Sequence, residues 1–163
     1  MKIWSDTVHP TFVYLRMSAI VLATKLFIPP RRLEAVVRTR LLEGLEAGLS
    51  RKLTLVCAPA GFGKTTLVSQ WLATCSYSSA WLSLDEKDGD LDHFLTYLVA
   101  ALQTISATVG LNTLGLLKSA DPPPLDLVLT GLLNEIAATQ HDFILVLDDY
   151  HLLANRNYSG CIG

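Results

Sequence analysis

"LVCAPAGFGKTTLVSQWLA", residues 55–73, runs from apolar residues through a cluster of small ones into a lysine, two threonines and a helix-like pattern. An apolar run, a glycine-containing turn and an amphipathic stretch, in that order, are what a strand, a loop and a helix N-terminus need. Within "APAGFGKT", Ala58 stands where a phosphate-binding loop usually carries its first glycine. Pro59, Ala60, Gly61 and Phe62 follow, then Gly63, Lys64 and Thr65 at the required spacing, with Thr66 closing the turn. Gly61 and Gly63 let the backbone turn so that amide N–H groups converge on phosphate oxygens. Lys64 is placed to reach terminal phosphates as a point charge and the Thr65 hydroxyl to ligate magnesium. The helix beginning near Lys64 adds the positive end of its dipole. An ordinary glycine turn between a strand and a helix would use the same residues.

"FILVLDDYH", residues 143–151, is the complementary stretch: an apolar run ending in Asp148 at a strand's C-terminal end. An aspartate there can hold magnesium, often through water, and Asp149 beside it can position or activate an attacking water. A helix cap or a solvated turn would use the same acidic pair. The two motifs, in order and each on the element it requires, predict a nucleotide site.

The intervening sequence supplies the rest of an α/β pattern. "LTLVC", residues 53–57, reads as a buried strand with Cys57 as a small core residue, "SAWLSL" at 79–84 as a second strand and "FILVLD" as a third. Leu41, Leu42, Leu45 and Leu49 recur at helical spacing, as do Leu67, Val68, Trp71 and Leu72 after the loop. Further stripes run through Phe94, Leu95, Leu98, Val99, Leu102 and Ile105, and through Leu125, Val128, Leu129, Leu132, Leu133 and Ile136. "DEKDGD" is a polar loop in which Asp90 or Asp92 can cap the following helix. "PPRR" at 29–32 and "SADPPPLD" at 119–126 mark breaks. Largely apolar strands alternating with helices predict an α/β fold, a parallel sheet with helices on both faces, and the phosphate-loop motif after the first strand makes the expected fold that of a P-loop NTPase.

Bulk properties narrow the function classes. A chain of 163 residues has the length of one domain, and 50% hydrophobic with 17% charged residues argues against disorder over most of it. A net charge of -2 gives no overall electrostatic case for nucleic acid. Arg31, Arg32, Arg38, Arg40, Arg51 and Lys52 concentrate basic charge in the first third and read as a solvated face. Cys57, Cys75 and Cys161 form no CxxC pair, which suits a reducing cytosol, and a cytoplasmic protein is expected. His9, His93, His141 and His151 lack metal-ligand spacing, so a zinc site is not expected. In "TFVYLRMSAIVLATKLFIPP", Arg16 and Lys25 interrupt the run before the ~18 apolar residues of a membrane span accumulate. No small-residue cleavage site of a signal peptide follows.

Taken together, "ATKLFIPP" at 23–30, "VVRTRLLEGLEAGLSRKLTLVCAPAGFGKTTLVSQWLA" at 36–73, "AWLSLDEKDGDLDHFLTYLVAALQ" at 80–103 and "FILVLDDYHLL" at 143–153 resemble a known segment. It is the N-terminal ATPase segment of the MalT-like, LuxR-type ATP-dependent transcriptional activators. These are signal-transduction ATPases with numerous domains, relatives of the AAA+ class. "WLSLDE" and "LDDYH" are the discriminating pieces. The resemblance implies a nucleotide-gated switch that binds ATP or ADP with Mg2+ and hydrolyses slowly at most, rather than a metabolic enzyme. It also implies self-association, an inducer sensed by a downstream helical repeat, and promoter DNA bound only through a C-terminal helix-turn-helix outside this chain. By residue match the phosphate loop is Ala58 through Thr66 and the magnesium-site acid Asp148, with Val37 and Arg38 beside the adenine.

The resemblance divides the chain into an N-terminal extension at 1–22, a partial ATPase domain at 23–153 and a C-terminal tail at 154–163. The start codon is left open between Met1 and Met17, the likeness beginning soon after the latter. The tail "ANRNYSGCIG" differs from the family's continuation, as a shifted frame or early stop after the Asp148 strand would produce. The implied strand order is 5-1-4-3-2, of which strands one, two and three fall in this chain, leaving a gap beside the phosphate-loop strand. Two functions follow: an ATP-binding regulatory module, or an inactive remnant or protein-interaction fragment without nucleotide turnover.

Overall fold

Two six-residue strands, β1 (Ser78–Ser83) and β2 (Phe143–Asp148), pair in parallel with Ser78 opposite Phe143 and Ser83 opposite Asp148. They are seen in a computed structural model that describes residues 21–30 and 36–154. Arg31, Arg32, His9, Cys161, the Met17 start and the tail from residue 155 lie outside the described residues.

Side chains alternate across a strand, and both strands are apolar on both faces. Trp81, Ile144 and Val146 join one cluster with Leu45 of α1 (Thr39–Gly48) and Leu67, Trp71 and Leu72 of α2 (Lys64–Leu72). Ala80, Leu82, Leu145 and Leu147 join another with Tyr97 and Ala101 of α3 (Leu91–Leu102). Helices thus cover both faces, as parallel strands of this composition require. Trp81 and Leu82 are 1% and 0% exposed, and each such burial contributes roughly 1.5–3 kcal/mol. A third cluster joins α3 to α4 (Leu111–Leu117) and α5 (Leu125–Ala137) through Leu95, Val99, Leu114, Val128 and Leu132. A short helix, α6 (His151–Ala154), follows β2.

The local signals act where they stand in the sequence. The Asp90 carboxylate caps α3 by accepting from the His93 N–H at 2.9 Å, and α5 starts directly after the proline run. α4 is not among the predicted helices, being too short to set up a periodic pattern. It begins after Gly110, whose φ of 76° and a would-be Cβ only 2.3 Å from Val99 Cγ1 both demand glycine.

The sheet differs from the expectation in one respect. Residues 53–57 form no helix or strand and join no ladder, so the described sheet has two strands rather than three. Leu53 and Leu55 are 82% and 73% exposed and Cys57 is exposed rather than a core residue, while Val56 packs against the α1–α2 cluster. Apolar composition alone does not make a strand, because the backbone N–H and C=O groups need a neighbouring strand. β2 has β1 on one side, and among the described residues no strand lies on the other.

Ahead of α1, the 3₁₀ turn Ala23–Leu26 packs near β1 and is fastened by a buried cation. Lys25, 8% exposed, pairs with Asp88 and with Asp85 at 3.2 Å, and its ammonium lies 4.4 Å from the centre of the Tyr97 ring. Both acids belong to the "DEKDGD" stretch, which forms a second 3₁₀ turn, Glu86–Gly89, closed by a capping box.

Candidate functional site

The loop that leads into α2 turns through two left-handed glycines, Gly61 at φ 82° and Gly63 at φ 78°, a conformation without steric penalty only where a Cβ is lacking. Gly63 is the N-cap of α2 and no side chain caps that end, which leaves first-turn amides for whatever enters the adjacent cleft. The Lys64 ammonium folds back over the loop, donating to the Ala58 carbonyl at 2.8 Å and the Pro59 carbonyl at 3.4 Å. From the α1 side, the Arg38 guanidinium donates to the Phe62 carbonyl at 3.0 Å and holds the loop tip. Val37 is exposed. Neither Val37 nor Arg38 lines the cleft.

Thr65, in the first turn of α2, reaches across to the C-terminal end of β2. Its hydroxyl lies 2.9 Å from Asp148 Oδ2 and 3.1 Å from Oδ1, so two residues 83 positions apart in sequence meet at one point. The Asp149 N–H also donates to Asp148 Oδ1, at 3.1 Å. Burial pushes the Asp148 carboxyl above the usual carboxylate range, the Thr65 hydroxyl opposes this, and the neighbouring Asp149 charge reinforces it. Asp149 adopts a left-handed φ of 58°, uncommon outside glycine but tolerated by aspartate.

A cleft of about 360 Å³ lies beside the Thr65–Asp148 contact, and Asp148, Ala58, Pro59 and Phe62 are not among the residues that line it. Ala60, Gly61, Gly63, Lys64, Thr65 and Thr66 line it from the loop and α2, and Asp149 and His151 line it from the end of β2. The sequence reading brought all of these to the site except His151, which it set aside as one histidine among scattered ones. The signal was present, since "LDDYH" ends on that residue. The sequence reading also missed the Lys25–Asp88 pair, because nothing local links residues 63 positions apart.

No group of three or more His, Cys, Asp or Glu suited to a metal occurs among the described residues. Magnesium needs no such cage: it prefers hard oxygen donors, keeps several waters and is usually held by one or two carboxylates together with phosphate. A threonine hydroxyl touching a carboxylate beside the glycine turn fits that donor set.

No protein-family model matches the chain. The chain is similar to members of a curated class, the HTH-type transcriptional regulators. Within it, the chain is 39% identical to MalT of Serratia proteamaculans (strain 568) over 136 residues, which are 83% of the chain and 15% of that regulator. To MalT of Yersinia pestis (strain Pestoides F) it is 38% identical over the same shares. The chain is therefore MalT-like, and it spans about 15% of the length of the curated relatives it matches. No described helix is long and apolar enough to cross a membrane.

Proposed function

We propose that this chain is the nucleotide-binding part of a MalT-like regulator, a cytoplasmic switch that takes ATP or ADP with Mg2+ and turns over ATP slowly at most. The observation that supports this most directly is the Thr65–Asp148 contact. An ordinary glycine turn gives no reason for a helix-start hydroxyl and a strand-end carboxylate to meet beside two left-handed glycines and a lysine. Phosphate binding gives one: the turn's amides and Lys64 face the anion, while Thr65 and Asp148 supply hard oxygens for a magnesium ion. Bound there, magnesium would neutralise charge on the phosphate oxygens. Asp149, exposed on the cleft wall, is the group to orient an attacking water. Promoter binding and self-association, the remaining activities of such a switch, are assigned to the regulator as a whole, in keeping with the helix-turn-helix in the relatives' name.

Titration calorimetry with ATP, with and without magnesium, tests the reading. Lys64→Ala removes a charge-assisted contact worth roughly 1.5–3 kcal/mol, so affinity should fall by at least about tenfold. Unchanged affinity in that variant would remove the phosphate-loop assignment.

A further inference from the structure

We propose that Lys25 is a positioning residue for Asp148, so that the 3₁₀ turn Ala23–Leu26 sets the magnesium-dependent part of nucleotide affinity from outside the cleft; this rests on the nucleotide reading above. The connection runs through two consecutive backbone amides just past β1. The Leu84 N–H donates to the Asp148 carbonyl at 3.0 Å, and the next amide, that of Asp85, donates to Asp88 Oδ2 at 2.7 Å. The same Oδ2 receives the Lys25 ammonium, which also lies 3.2 Å from Asp85 Oδ2. Leu84, which holds the backbone of Asp148, is therefore the immediate neighbour of a residue whose amide and carboxylate both belong to the charge cluster that Lys25 completes.

Asp148 needs that hold. Magnesium demands near-ideal octahedral geometry, so a carboxylate that serves it must sit on a fixed backbone. The Thr65 hydroxyl locates the Asp148 side chain from α2. Its backbone lies at the last register pair of the ladder, opposite Ser83, and among the described residues β2 has no neighbour on its other side. The Leu84 amide is thus the closing rung on the side of β2 that is paired, and what steadies Leu84 steadies Asp148.

The turn that carries Lys25 grips the same place. The Leu22 N–H donates to the Tyr97 hydroxyl at 3.0 Å, the Lys25 N–H returns to the Leu22 carbonyl at 3.0 Å, and Val21 and Leu26 pack against the cluster of Leu82, Leu84 and Tyr97. Apolar residues of similar volume would stabilise this junction as well as a buried ion pair or better. What the pair adds is geometry: the Asp88 side chain has no exposed surface, so its carboxylate must keep both the Lys25 ammonium and the Asp85 N–H. A cation delivered from residues 23–26 in this way fixes the peptide next to the Asp148 rung.

Calorimetry on the full chain with ATP, in magnesium and in EDTA, gives the ratio of the two affinities. Lys25→Met should lower that ratio by roughly three- to tenfold, somewhat less than the loss of a group that contacts a metal ligand directly, and leave the EDTA affinity unchanged. Val128→Ala, which opens the buried α4–α5 cluster away from this path, should keep the parent ratio. A parent ratio in Lys25→Met, with binding still dependent on Lys64, overturns the positioning role and leaves the nucleotide reading standing. A ratio that falls equally in Val128→Ala also overturns it, because the ratio then follows stability alone. Binding that ignores Lys64 ends both. If Lys25→Met does not fold, amide exchange on the parent chain decides. Coupling is reciprocal, so saturating ATP should protect the Leu22 and Asp85 amides at least about threefold more in magnesium than in EDTA. The Gly110 amide, held by Glu135 at 2.6 Å in the remote cluster, should not respond to the metal. Equal protection at all three amides overturns the inference.

Discussion

Asp148 stands between two demands. Its position at the end of β2 lets Thr65 meet it, and the same position buries it enough to raise its carboxyl above the ordinary range. A carboxyl raised in the folded state favours the neutral form, so its contribution to stability is present at low pH and lost as pH rises through the folded value. Asp148→Asn keeps the shape and an acceptor for the Thr65 hydroxyl but never ionises. It should therefore melt higher than the parent chain at neutral pH, with the gap closing as pH falls toward about 4, where ordinary aspartate protonates. The same substitution should abolish the magnesium-dependent part of ATP affinity. Paired thermal melts at neutral and acid pH check the first outcome, and an Asn variant that melts lower at neutral pH would contradict it. The glycines at this scale were legible because Gly61 and Gly63 occupy positions where the backbone needs φ > 0. His151 was passed over although "LDDYH" ends on it, because its place on the cleft is decided only by the fold.

Elements are joined here by a buried charge network as well as by apolar faces. Asp88, with no exposed side-chain surface, receives the Lys25 ammonium, the Asp85 N–H at 2.7 Å and the His93 Nδ1 at 3.0 Å. The exposed partner, Asp85, is raised by burial, yet the Lys87 N–H and Lys25 outweigh this and leave its carboxyl below the usual range. Removing one partner of such a pair leaves an uncompensated buried charge, so Lys25→Met should cost about 3–5 kcal/mol in urea unfolding. Lys25→Met combined with Asp88→Asn should recover part of the loss, since the amide still accepts from the Asp85 N–H without stranding a charge. Equal destabilisation by the single and double variants would mean that the loss does not come from a stranded Asp88 charge. The sequence presents "DEKDGD" as a polar loop, and only folding brings Lys25 to it.

For the molecule as a whole, the open side of β2 and the exposed Leu53 and Leu55 mark the least finished surface among the described residues. Unpaired strand edges beside apolar side chains template association, and this feature favours an interaction surface as the second reading of the chain. The parent chain should self-associate with rising concentration in sedimentation velocity, and Leu53→Lys with Leu55→Lys should shift it toward monomer. Because neither leucine lines the cleft, Lys64-dependent nucleotide affinity should persist in that variant. A parent chain that remains monomeric across the concentration range would reject the association surface.

The sequence by itself determined what neighbouring residues can specify: the helical stripes, an aspartate cap at Asp90 or Asp92, the glycine turn, the two strands and the parallel alternation that makes the chain α/β. It also carried the likeness to MalT regulators. Tertiary structure decided whatever depends on residues far apart. Residues 53–57 have strand composition but join no ladder, because backbone hydrogen bonds need a partner that composition does not provide. Gly110 must be glycine because Val99 approaches it, and α4 exists because α3 and α5 offer it a cluster to join. Thr65 finds Asp148 across 83 residues, and Lys25 finds Asp88 across 63. Local pattern acts through backbone propensity and side-chain period, whereas these contacts exist only once packing has brought distant side chains within hydrogen-bonding range.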